Sequence, residues 1–93
     1  MSKIFKDAVT ATVAEGVCPK GFPASLLQVA RRKISIVRAA GKLEDLKSPP
    51  GNRLHPLVGD RAGQYAIRIN DQYRVCFRWT ESGAQDIEIT DYH

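Results

Sequence analysis

Tyr65-Ala66-Ile67-Arg68-Ile69-Asn70-Asp71-Gln72-Tyr73-Arg74-Val75-Cys76-Phe77-Arg78-Trp79 consists of two alternating segments around a polar centre. Successive side chains of a strand point to opposite faces, so Tyr65, Ile67 and Ile69 share one face, as do Tyr73, Val75, Phe77 and Trp79. Asn70-Asp71 fits a two-residue hairpin turn, although Asn-Gly is the stronger signal. The stretch therefore reads as a hairpin whose apolar face packs beneath helices while Arg68, Arg74 and Arg78 project from the other. Forked guanidinium hydrogen bonds suit phosphate oxygens, which makes those three arginines a candidate phosphate platform. They equally suit the polar outer face of any one-sided sheet.

Working outward, Glu81-Ser82-Gly83 reads as a turn, and a last strand over residues 86–90 carries Asp91-Tyr92-His93. Upstream, residues 53–58 read as a strand and residues 59–63 as a loop. Residues 42–47 suit a short helical turn that Ser48-Pro49-Pro50-Gly51-Asn52 cannot continue. The clearest helix runs over residues 23–40, where Leu27, Ala30, Ile34, Val37 and Ala40 form one apolar stripe and Pro23 occupies the first turn. Gly41 is expected to close it with a left-handed cap. Arg31, Arg32, Lys33 and Arg38 lie mainly off the stripe, and a solvated face near the favourable end of the helix dipole accounts for them better than RNA contact does. A shorter helix over residues 7–15 stops at Gly16, residues 17–22 form a loop, and Lys3-Ile4-Phe5 is a short strand. The expected fold is α+β, one domain over residues 1–93: a small antiparallel sheet of three to five strands with two N-terminal helices packed on one face.

Ninety-three residues suit one modest core, and 43% hydrophobic content suffices for it. No apolar run approaches the ~20 residues of a membrane span, and a signal peptide's apolar region is lacking, so a soluble, cytoplasmic protein is expected. Cys18 and Cys76 lack the short spacing of a zinc site and are too few for a disulfide framework. The net charge of +4 is the sign of a nucleic-acid binder or of a protein masked by an acidic partner.

The chemically capable residues are His55, Asp91, Tyr92, His93 and the sheet arginines. RNA cleavage without a metal needs a base for the 2′-hydroxyl proton, an acid for the 5′-oxygen and cations for the phosphorane-like transition state. Two histidines, a tyrosine and arginines supply these roles with no cofactor. Strict alternation, however, puts Asp91 and His93 on the face of Ile87 and Ile89, and Tyr92 with Glu88 on the arginine face. All three serve one site only if the strand ends, twists or bulges near Thr90; Asp91 then reads as an anchor for Tyr92 and His93. A metal set of His55, Asp91 and His93 is formally complete, but ligand spacing gives it no support.

Leu54-His55-Pro56-Leu57, Gly59-Asp60-Arg61-Ala62-Gly63-Gln64-Tyr65, Asn70-Asp71-Gln72-Tyr73-Arg74-Val75-Cys76-Phe77 and the terminal Asp91-Tyr92-His93 resemble HigB toxins of the RelE/ParE superfamily of type II toxin–antitoxin systems. The resemblance extends over nearly the whole chain, including Leu43-Glu44-Asp45-Leu46 and residues 48–53. It implies a RelE-like fold and a ribosome-dependent mRNA endonuclease that cuts in the A site by 2′-hydroxyl attack without metal. By position, His55, Asp91, Tyr92 and His93 match residues implicated in catalysis, and Arg74 matches a phosphate-stabilising arginine. Some members carry a lysine after the His-Pro-Leu stretch, where this chain has Val58. That charge is then either supplied by Arg53, Arg61 or Lys47 or missing. The resemblance further implies a HigA-like helix-turn-helix antitoxin, with operator DNA bound only by the toxin–antitoxin complex.

Two other functions compete. ParE-like relatives poison DNA gyrase, but a gyrase poison does not need the terminal Asp-Tyr-His with His55. A plain basic nucleic-acid-binding module would depend on Arg74 and Arg78 and not on His93.

Overall fold

The alternating run forms strands β2 (Gln64–Arg68) and β3 (Tyr73–Thr80), with β1 (His55–Pro56) and β4 (Gly83–Asp91) completing a four-stranded antiparallel sheet in the order β1-β2-β3-β4. The structure, a computed structural model, describes residues 4–48 and 50–91. Lys3, Pro49, Tyr92 and His93 lie outside the described residues. Ile4 and Phe5 lie beside β4: Phe5 makes a parallel bridge to Ile87, with the Lys6 N–H donating to Ile87 O and the Ile87 N–H to Ile4 O.

Helices α1 (Ala8–Ala14) and α2 (Leu27–Ala39) pack against the sheet face that carries Ile67, Ile69, Val75, Phe77 and Ile87. The helix contribution to this core is Val13 from α1 and the stripe residues Ala30, Ile34 and Val37 from α2. Phe77 is its largest fully buried side chain, worth roughly 1.5–3 kcal/mol by burial alone. Asp7 caps α1, its Oδ1 accepting from the Thr10 N–H at 2.8 Å, and Gly16 at φ +89° stops it as expected. No helix among the described residues is long and apolar enough to cross a membrane.

Three local expectations are corrected. Pro23 precedes a 3₁₀ turn (Ala24–Leu26) rather than starting the α-helix itself. Gly41 makes no left-handed cap; the backbone turns extended at Ala40, and Asp45 Oδ2 accepts from the N–H groups of Gly41 and Lys42 instead. The β2–β3 turn is wider than two residues. Arg68 pairs with Arg74, and the Asn70 side chain accepts from the N–H groups of Gln72 and Tyr73, so a side chain organises the turn that a two-residue type would make from backbone alone.

The last strand begins earlier than residue 86, because Thr80 pairs directly with Gly83. Its irregularity also falls earlier than Thr90. The pairing shifts between Cys76 and Arg78, and Asp86 has φ +52°, which identifies a bulge there. Beyond it the register is regular as far as Asp91, opposite Tyr73.

Two buried polar residues fasten the periphery to this core. Thr10 is fully buried, and its Oγ1 accepts from the Ile89 N–H at 3.0 Å, joining α1 to β4. Asn52, also fully buried, donates to Leu46 O and Ser48 O while accepting from Lys33 Nζ, so it ties the 46–52 segment to α2. Thr10→Val should lower stability by about 1–3 kcal/mol, because it strands a buried N–H, whereas Thr10→Ser should retain most of it. Denaturant melting of the two variants checks this. Asn52→Ala should cost a similar amount or more in the same assay, since the buried Leu46 carbonyl and the partly buried Ser48 carbonyl lose their donor.

Candidate functional site

The pairing register assigns the second face of the sheet row by row. Arg68, Arg74 and Thr90 lie side by side in one row; His55, Ala66, Cys76 and Glu88 form the next; Gln64, Arg78 and Gln85 form a third. The expected platform arginines therefore do share a face. Arg68 and Arg74 are direct cross-strand neighbours, and Arg78 stands four residues along β3 from Arg74, roughly 13 Å away and exposed. Like charges directly opposite are unfavourable, so a pair of this kind is stabilised by nearby anions. Asp71 meets part of it through an ion pair with Arg68.

Arg53, His55, Arg68 and Asp71 line a depression of about 390 Å³. Arg53 adopts φ +50°, and this left-handed kink aims its carbonyl at the His55 ring, 2.8 Å from Nδ1. A carbonyl only accepts, so Nδ1 carries the hydrogen. The neutral ring then keeps its lone pair on Nε2, the arrangement a general base requires.

The middle row contains a device absent from the sequence reading. Ala66 and Cys76 are small and fully buried, yet they belong to the arginine face and not to the core beneath the helices. From the loop before β2, Arg61 reaches across two strands to Glu88, Nη1 to Oε1 3.0 Å, and also donates to Gln64 Oε1 at 3.3 Å. Lys6 approaches the other Glu88 oxygen at 3.9 Å. Glu88 was already on this face by alternation, and a lone acid among arginines was the available signal for such a pair.

The remaining expected residues divide. Arg53 lines the depression, and Arg61 is engaged by Glu88. Lys47 is exposed at the end of a 3₁₀ turn (Leu43–Lys47) and lines neither this depression nor the groove beside α2. Val58 is exposed at the start of the 59–63 loop. Asp91 sits opposite Tyr73 at the end of β4, where its Oδ2 accepts from Gln72 Nε2 at 3.1 Å. Tyr92 and His93 continue the chain from this point, outside the described residues. Among the described residues no three of His, Cys, Asp and Glu come together as a metal set.

The basic run on α2 is not one surface. Arg38 stacks on the Phe5 ring at 5.3 Å, Arg31 lies against Gly16, and Lys33 bonds Asn52. Of the run, Arg32 and Lys33 line a groove shared with one sheet arginine, Arg68.

Comparison with known proteins bears on this arrangement. The chain is 42% identical over 62 residues to toxin HigB-1 of Vibrio cholerae serotype O1, covering 67% of this chain and 65% of that one. It is 27% identical to endoribonuclease HigB of Proteus vulgaris over the full length of both chains. An uncharacterized protein of Haemophilus influenzae is 32% identical over 67 residues, 72% of this chain and 66% of that one. The chain thus spans just under two thirds of the length of two of these relatives. The family model for the HigB-like, RelE-like toxin of type II toxin–antitoxin systems matches residues 5–93, and with the α+β architecture and the terminal Asp-Tyr-His this places the chain in the HigB-like toxin family.

Proposed function

We propose that the protein is the toxin of a type II toxin–antitoxin pair and acts as a ribosome-dependent mRNA endonuclease in the cytoplasm. The observation that carries this is His55, tethered through Nδ1–H with Nε2 left open, beside Arg68 in the row next to the Arg68–Arg74 pair. The family match and the endoribonuclease name of the Proteus vulgaris relative support the same reading.

In the proposed reaction a base takes the 2′-hydroxyl proton, and O2′ attacks the adjacent phosphorus. An acid then protonates the departing 5′-oxygen, leaving a 2′,3′-cyclic phosphate and a 5′-hydroxyl. His55, Tyr92 and His93 are the proton-transfer groups, Arg74 and Arg68 neutralise the charge that grows on the phosphoryl oxygens, and Asp91 holds the end of β4 in place. Arg53 and Arg78 extend the cationic surface for neighbouring phosphates. Arg61 holds its position through Glu88 and contributes field more than contact. The neutralising partner is a HigA-like helix-turn-helix antitoxin, and operator DNA is bound by the pair together.

Purified protein with programmed ribosomes tests this. Wild type should cut mRNA in the A site and leave 5′-hydroxyl ends. Tyr92→Phe and a chain lacking His93 should each lose about 10²–10⁴-fold in rate. Arg74→Ala should lose about 10²–10³-fold, and Arg61→Ala less than Arg74→Ala. Toxin stripped with a chelator and desalted before mixing should keep its full rate. Intact mRNA alongside inhibited gyrase would overturn the nuclease reading.

A further inference from the structure

Arg68 borders two depressions. One holds His55; the other, about 360 Å³, lies between α2 and the chain near Gly51, and Val29, Ile36 and Ile69 line it together with Arg32 and Lys33. The two therefore share one lining residue. The second is lined by three apolar side chains as well as three cations, whereas a merely solvated face would present cations alone.

Among the described residues that line this groove, none is acidic. Lys33 is partly buried, accepts no counter-charge from the neutral Asn52 it bonds, and has Arg32 and Arg68 for neighbours. Burial first, then those two cations, hold its ammonium below its ordinary pKa of 10.5. Asp71, the acid that pairs with Arg68, stands on the His55 side. Of the four basic residues on α2, these two are turned toward the groove while Arg31 and Arg38 pack elsewhere.

We propose that this groove is a second RNA subsite, in which Arg32, Lys33 and Arg68 hold a phosphodiester of the mRNA strand next to the nucleotide at His55, while Val29 and Ile36 receive its base or ribose. The inference rests on the nuclease reading for the identity of the strand. The apolar wall suits the flat face of a base, and cations spaced along a groove are how proteins track single strands without reading sequence. Because Arg68 is common to both depressions, the strand passes from one to the other without leaving positive potential. The subsite positions substrate; none of the chemistry is done there.

The test is equilibrium binding of a fluorescent single-stranded oligodeoxynucleotide, which lacks the 2′-hydroxyl and stays intact, at several salt concentrations. Each lost phosphate contact lowers the slope of log affinity against log salt by about 0.7. Arg32→Gln, at an exposed position that should not disturb folding, is expected to lower the slope by about 0.7, and Arg32→Gln with Lys33→Gln by about 1.4 with roughly tenfold weaker binding at low salt. The Lys33 ammonium, followed by NMR, should titrate at higher pH with the oligonucleotide bound. An unchanged slope in Arg32→Gln would overturn the subsite, as would a defect seen with empty ribosomes but not with the oligonucleotide. Cleavage by wild type with unchanged slopes removes the groove and leaves the nuclease; reduced slopes without cleavage remove the nuclease and leave the groove.

Discussion

Strand β3 is hydrogen-bonded on both edges, and that double pairing governs everything built on it. A strand paired on one side can slip or roll; one paired on both cannot change the direction of a single side chain without breaking two ladders. Val75 and Phe77 are thereby committed to the core under α2, and Arg74, Cys76 and Arg78 to the opposite face. The burial that stabilises the fold and the charge that serves the site come from alternate residues of one strand. A substitution that loosens Phe77 therefore also blurs the placement of Arg74 and Arg78.

The cost of that arrangement is a crowd of like charges, and the molecule handles it with acids placed at particular points. Asp71 sits at the β2 end of the arginine row, and Glu88 lies on β4 in the row next to it. Glu88 engages Arg61 from the β2 side and Lys6 from the β4 edge, in the same row as the buried Ala66 and Cys76. The cations that remain less compensated cluster around Arg68, and the candidate substrate surface lies along that line. Partial neutralisation of this kind keeps a basic surface foldable while leaving it attractive to a polyanion.

Much of this was legible in the sequence. Period-two alternation in residues 65–79 located the hairpin and its arginine face, and the period of α2 located Ala30, Ile34 and Val37, because both patterns are local consequences of burial. The departures share a different cause. Gly41 fails as a cap because Asp45 satisfies the N–H groups of Gly41 and Lys42, and the β2–β3 turn widens because Asn70 supplies acceptors from its side chain. In both places a side chain competed with the backbone geometry that composition suggests. The Arg61–Glu88 pair, the Asn52 clasp and the bulge at Asp86 depend on positions that only the folded chain brings together, and no local spacing encodes them. The candidate site was legible in the same measure: His55 and the arginines were visible by type, but the tether that frees Nε2 needed the left-handed Arg53.

The contact of residues 4–6 with Ile87, and of Thr10 with Ile89, also says something about time. These are among the longest sequence separations in the fold, and contacts of that kind form late because their loop-closure entropy must be met first. During synthesis α1 has no strand to rest on until nearly all of the described chain has emerged. The helix layer contributed by α1 therefore closes over the sheet only after β4 has been made, whereas the β2–β3 hairpin that carries Arg68 and Arg74 has its pairing partners earlier.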